Sequence, residues 1–76
     1  MFTIISRDQC NFCDQAKALL KAVGFSYEEY NVQQNPWLLT IFKEAGYTTV
    51  PQVYGPTGKH IGGYRDLEEF IINGPE

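Results

Sequence analysis

The sequence predicts one small α/β domain, and three observations carry that expectation. Short runs rich in β-formers alternate with segments whose apolar residues recur at helical spacing. The last two such runs flank Gly55-Pro56-Thr57-Gly58, with proline at the second turn position and glycine at the fourth, which is a tight reversal. The 76 residues leave room for one modest core, with no repeat, linker or low-complexity tract, so residues 1–76 are read as a single domain.

The elements follow in order. Phe2 to Ile5 is a β-forming run broken at Ser6-Arg7-Asp8, the first strand. From Phe12 onward, Ala16, Leu19, Leu20 and Val23 fall at i, i+3, i+4 and i+7, so one face packs inward while Asp14, Gln15, Lys17 and Lys21 face water; Gly24 ends that helix. Phe25 to Val32 is read as the second strand, although neither alternating set is purely apolar. Asn35-Pro36 signals a helix start, with asparagine as the cap and proline in the first helical position. Leu38, Leu39, Phe42 and Ala45 form its apolar stripe, Gly46 closes it, and Trp37 is expected as a partly buried anchor.

Val50 to Tyr54 reads as a strand in which Pro51 marks an edge, a strand start or a special turn. Lys59 to Ile61 returns as its partner, with His60 expected on the solvent face. Gly62-Gly63 makes a sharp exit into Asp66-Leu67-Glu68-Glu69, a capping-box pattern expected to head the last helix, with Leu67, Phe70 and Ile71 inward and Asn73-Gly74-Pro75 as the stop. The first two strands, joined by a helical crossover, should be parallel, and the last two should form an antiparallel hairpin on the same sheet.

Charge and hydropathy narrow the function classes. A net charge of −3 with six Lys and Arg gives no polyanion-binding signal, so nucleic acid is not an expected partner. Runs such as Phe2 to Ile5 and Phe70 to Ile72 are too short to cross a bilayer, and no signal-peptide pattern opens the sequence. A soluble, cytoplasmic, monomeric chain is expected.

The two cysteines, Cys10 and Cys13, stand where the first strand gives way to the first helix. In open α/β sheets that position, beyond the carboxyl end of a strand, is where ligands bind. Two intervening residues allow one helical turn to bring the sulfurs together, and a thiolate at a helix start faces unpaired N–H groups that favour negative charge. That lowers a thiol pKa and makes a nucleophile. The same spacing also supplies half of a zinc site, but no second pair exists, and zinc would have to be completed by His60 and scattered carboxylates. A structural disulfide closing so short a loop restricts the unfolded chain little. Inert buried thiols are the remaining bland reading, and a redox pair is preferred because a close thiol pair in a reducing compartment is more often catalytic or metal-binding.

Cys10-Asn11-Phe12-Cys13, Thr49-Val50-Pro51 and Gly62-Gly63-Tyr64-Arg65-Asp66, in this order and at these spacings, resemble a glutaredoxin of the short bacteriophage and bacterial kind, over nearly the whole chain. The resemblance implies a thioredoxin fold, with a four-stranded mixed sheet, three flanking helices and Pro51 in the cis form against the sulfur pair. It implies glutathione as reductant and no metal. Cys10 would be the attacking thiolate and Cys13 the resolving thiol, with the basic residue usual three positions before the first cysteine supplied by Arg7.

The implied glutathione groove runs beside Cys10 from Arg7 and Phe12, past Thr49, Val50 and Pro51, to the corner of Gly63, Tyr64, Arg65 and Asp66. Arg7 would pair with the glycyl carboxylate and Asp66 with the ammonium; the backbone N–H groups of Arg65 and Asp66 suit the γ-glutamyl carboxylate. Where many relatives have Pro-Tyr between the cysteines, this chain has Asn11-Phe12, and Tyr47 stands where an arginine often precedes Thr-Val-Pro. The implied substrates are protein disulfides and glutathione mixed disulfides, with ribonucleotide reductase one target the family suggests. Two rival functions share the fold: an electron donor reduced by thioredoxin reductase, and an iron–sulfur or zinc carrier.

Overall fold

The computed structural model describes residues 1–47 and 49–74. Its elements are β1 (Phe2–Ser6), α1 (Asn11–Ala22), β2 (Tyr27–Asn31), α2 (Trp37–Ala45), β3 (Gln52–Tyr54), β4 (His60–Gly62) and α3 (Tyr64–Ile72). The four strands form one sheet in the order β2-β1-β3-β4. β1 runs parallel to β2, with Phe2 opposite Tyr27, and antiparallel to β3, with Ile4 opposite Val53; β3 and β4 form the closing antiparallel pair. This is a thioredoxin fold with a four-stranded mixed sheet and three helices.

Strand alternation divides the core in two. Phe2, Ile4 and Val53 point to one face, where they meet Ala16 and Leu20 of α1 and Leu67 of α3, all fully or almost fully buried. Burying a side chain such as Leu20 or Leu67 contributes about 1.5–3 kcal/mol each. Ile5 points to the opposite face and packs with Val32, Leu38 and Phe42. Hence α1 and α3 cover one side of the sheet and α2 the other.

Several boundaries differ from the sequence expectation for local reasons. Asn35 does not cap α2; its side-chain amide donates to the Asn31 carbonyl, 3.0 Å, and the turn instead closes through Leu38 N–H to the Asn35 carbonyl, 2.9 Å. In α2, Leu38 and Phe42 are buried as expected, but Leu39 is 45% exposed because it sits one residue off the inward line. Trp37, expected as a partly buried anchor, is 57% exposed. Gly46 does close α2, in the left-handed conformation (φ 79°) that glycine adopts without steric cost.

α3 starts at Tyr64, three residues before the start that an Asp66 cap would give, with Gly63 as its N-cap. Asp66 therefore occupies the third helical position, and its Oδ2 accepts from the Gly63 N–H at 3.1 Å. Gly63 has no side chain to return the bond, so Asp66 supplies the single side-chain cap. Within the closing strand pair, His60 is exposed, yet its ring is not left to water: it stacks on Tyr47 and meets Tyr54 at a tilt of 46°, both at centroid distances of 5.0 Å. Thr48, Pro75 and Glu76 lie outside the described residues; Pro75 is the last residue of the expected Asn73-Gly74-Pro75 stop.

Candidate active site

The cysteine pair stands at the carboxyl end of β1 and the start of α1. Cys10 is the N-cap residue of α1 in extended conformation (φ −119°, ψ 102°), and its Sγ accepts from the Cys13 N–H at 3.2 Å. That is the contact an oxygen-bearing cap residue makes, here with sulfur in place of oxygen. Cys10 and Cys13 form a disulfide with a Cα–Cα separation of 5.2 Å, and Cys13 is the more enclosed, 1% exposed against 9% for Cys10. When the pair is reduced, a charge on Cys10 gains the helix N-terminal field and the aimed N–H, while Cys13 lies one turn inside.

The Val50-Pro51 peptide bond is cis, and the Val50 carbonyl lies 3.9 Å from Cys10 Sγ. On one side of this segment a cleft of about 350 Å³ is lined by Phe12, Thr49, Val50, Pro51, Gly63, Tyr64, Arg65 and Asp66. It brings three separated sequence motifs to one wall. Phe12 and Tyr64 stack across it with ring centroids 6.1 Å apart, which joins the Asn11-Phe12 pair to the start of α3. Gly62, at φ 128°, has no room for a Cβ, which would meet the Asp66 carboxyl carbon at 2.8 Å. Arg7 lines a second cleft on the other side of Val50 together with Thr49.

Three supporting networks were not foreseen from sequence. Buried Gln52 donates from Nε2 to the Thr49 carbonyl, 3.0 Å, while its Oε1 pairs with His60 Nε2, 2.6 Å, so the wall of the cleft is tied to β4. On the opposite side, the Asp8 N–H donates to Gln33 Oε1, 2.6 Å, and Asn31 Nδ2 donates to Asp8 Oδ1, 2.8 Å. These bonds hold the turn in which Gln9 adopts a left-handed φ of 54° immediately before Cys10. Finally, fully buried Ser6 donates to Glu29 Oε2, 2.7 Å, which also accepts from Lys17 Nζ, 3.1 Å. The Ser6 hydroxyl foremost, then Lys17, hold the Glu29 carboxyl below the usual range; Glu29 in turn raises Lys17. Glu29 shares the parity of Tyr27, which explains why that alternation set is not purely apolar.

Behind Val50, the Tyr54 hydroxyl donates to the Tyr47 hydroxyl, 3.1 Å, and burial with that contact pushes the Tyr54 phenol up to about 12. His60, the third donor considered for zinc, is thus engaged with Gln52 and two tyrosines on the α2 side of the sheet.

A thioredoxin fold with a helix-capping cysteine, a second cysteine one turn on and a cis-proline loop beside them defines a thiol–disulfide redox protein. The glutaredoxin family model matches residues 2–61. Glutaredoxin 3 of Escherichia coli K12 is 38% identical over 72 residues, covering 93% of this chain and 86% of that protein. Hybrid peroxiredoxin hyPrx5 of Haemophilus influenzae is 41% identical over 69 residues; the match covers 91% of this chain but 28% of that protein. Among solved structures, the crystal structure of a buckwheat glutaredoxin–glutathione complex superposes with a TM-score of 0.80 at 27% identity, covering 96% of this chain and 69% of that one. The chain belongs to the glutaredoxin family, and its chemistry is thiol–disulfide exchange through the Cys10–Cys13 pair.

Proposed function

We propose that this chain, acting as a single domain over residues 1–76, reduces protein disulfides and glutathione mixed disulfides with glutathione as its reductant. The observation that carries the reading is the cleft beside Cys10, in which the Val50 backbone, the first turn of α3 and the Asp66 carboxylate line one wall. Glutathione carries two carboxylates and one ammonium. At the α3 end, the N–H groups of Arg65 and Asp66 belong to the first turn, which has no intrahelical acceptors for them, so they suit the γ-glutamyl carboxylate. Asp66 Oδ2 is used by Gly63, which leaves Oδ1 for the ammonium. Arg7, on the far side of Val50, serves the glycyl carboxylate, with Phe12, Thr49, Pro51, Gly63 and Tyr64 as walls. That the buckwheat structural neighbour is a complex with glutathione supports glutathione as the ligand class.

In the exchange, Cys10 thiolate attacks a substrate sulfur and expels the other as a thiolate. Cys13 then displaces the substrate from Cys10, or glutathione does so in its place. Two molecules of glutathione return the oxidised pair to dithiol and leave as glutathione disulfide. Ribonucleotide reductase is a protein target suggested by the resemblance, and the hybrid peroxiredoxin relative adds thiol peroxidases as a second class. A monomer working in the cytoplasm, or in a host's cytoplasm if phage-encoded, fits this role.

Turnover of a glutathione mixed disulfide, coupled to glutathione reductase, tests the reading, with Asp66→Asn as the diagnostic variant. Asparagine retains an acceptor oxygen for Gly63, so stability should change little. Losing the charge-assisted bond to the ammonium should cost about 1.5–3 kcal/mol, seen as a raised KM. An unchanged KM would reduce Asp66 to a helix cap.

A further inference from the structure

The second cleft, on the α2 side of Val50, has a volume of about 370 Å³, and Thr49 and Val50 line it as well as the cleft beside Cys10. Its floor is apolar, formed by Leu39, Phe42, Tyr47 and Val50, and its charged lining residues are Arg7 and Lys43, with no carboxylate among the lining residues. Among the described residues neither cation enters an ion pair; the pairs present involve Lys17 alone. In a chain of net charge −3 this cationic patch runs against the overall balance.

We propose that this groove receives the polypeptide on the carboxyl side of a substrate cysteine, and that it selects a segment carrying an apolar side chain and an acidic one. The direction rests on the glutathione placement above: with the γ-glutamyl end at Asp66 and the glycyl end at Arg7, a chain continuing past the glycine position enters the groove. An apolar side chain covers Leu39, which α2 otherwise leaves exposed to water, and a carboxylate meets Lys43. Lys43 lines this groove and not the cleft beside Cys10, so it is set to discriminate among protein substrates without acting on glutathione itself. This makes the surface a specificity determinant for one class of disulfide.

The test uses single turnover of the pre-reduced full chain, which needs no glutathione. The probes are synthetic peptides with one intrapeptide disulfide, whose second cysteine is followed by Gly-Glu-Leu, Gly-Lys-Leu or Gly-Glu-Ser. Cys10 attacks the peptide disulfide and Cys13 releases the product, so the protein dithiol becomes a disulfide and the peptide gains two thiols. The Gly-Glu-Leu peptide should react up to about fivefold faster than the Gly-Lys-Leu peptide, the scale of one solvent-exposed ion pair. Added salt should shrink that ratio. Lys43→Glu should reverse the preference, Lys43→Ala should erase it, and turnover of a glutathione mixed disulfide should stay unchanged in both. The Gly-Glu-Ser peptide should lose the apolar share of the advantage. Equal rates for the acidic and basic peptides, or a preference that survives Lys43→Glu, would overturn the proposal. So would sedimentation showing a dimer that Lys43→Glu dissolves, which would assign the groove to a second copy. Failure of glutathione-dependent turnover with the peptide preference intact would instead count against the glutathione reading.

Discussion

Glu29→Gln probes the junction that ties α1, and with it the cysteine pair, to the edge of the sheet. The substitution keeps the shape and leaves Ser6 Oγ an acceptor, but it removes the charge from a 2.7 Å hydrogen bond and a 3.1 Å contact with Lys17. Hydrogen bonds to charged groups contribute about 1.5–3 kcal/mol and neutral ones about 0.5–1.5, so the Ser6 bond should weaken by about 1 kcal/mol. The Lys17 side chain is 25% and that of Glu29 33% accessible, so solvent screens their attraction and its loss adds about 0.2–1 kcal/mol. A total of about 1.5 kcal/mol corresponds to a Tm lowered by about 6–12 °C in a domain of this size. The folded pKa of Glu29 lies below that of an ordinary glutamate, held down first by the Ser6 hydroxyl. Its contribution is therefore fully present above that value and fades as pH falls through the lower folded one. Urea unfolding of both proteins at steps from pH 7 to pH 3 measures this directly. The gap in stability should be widest at neutral pH and narrow in acid. A gap that is constant with pH would refute the argument, because it would mean that the charge contributes nothing. Glu29→Leu should cost more than Glu29→Gln, since it leaves the fully buried Ser6 hydroxyl without its acceptor.

Three further outcomes are expected. Cys10→Ser should abolish activity toward every disulfide, whereas Cys13→Ser should retain glutathione mixed disulfides and lose most protein disulfides; equal losses in the two variants would contradict the roles. Thiolate absorbance at about 240 nm, followed as the reduced protein is titrated, should place the Cys10 transition well below the free value of ~8.5, because the Cys13 N–H and the α1 terminus stabilise the anion. Gln52→Met should raise the KM for disulfide substrates several-fold with little change in kcat, since it releases the Thr49 carbonyl from the wall of the cleft; steady-state kinetics with an unaltered KM would make Gln52 purely structural.

The sequence by itself determined the order of the elements, the inward positions Ala16, Leu20, Phe42 and Leu67, and the place of Cys10 between β1 and α1. These are readable because they depend on short-range periodicity and on residues a few positions apart. The family motifs added the cis Val50-Pro51 bond, which no local preference specifies. Tertiary structure decided what depends on partners far along the chain. Glu29 breaks the apolar alternation of β2 because Ser6, 23 positions away, donates to it, a partner that no local pattern names. Asn35 looked like a helix cap, but the Asn31 carbonyl claimed its amide. Asp66 does cap α3, but from the third helical position and not the N-cap, three residues along, because the helix begins at the extended Gly63 whose N–H the Asp66 carboxylate accepts. The family motifs named the lining of the cleft, but its formation is a tertiary product: Phe12, Val50 and Tyr64 share no local pattern, and only the sheet order brings the start of α1, the cis-proline segment and the start of α3 to the same end of β1.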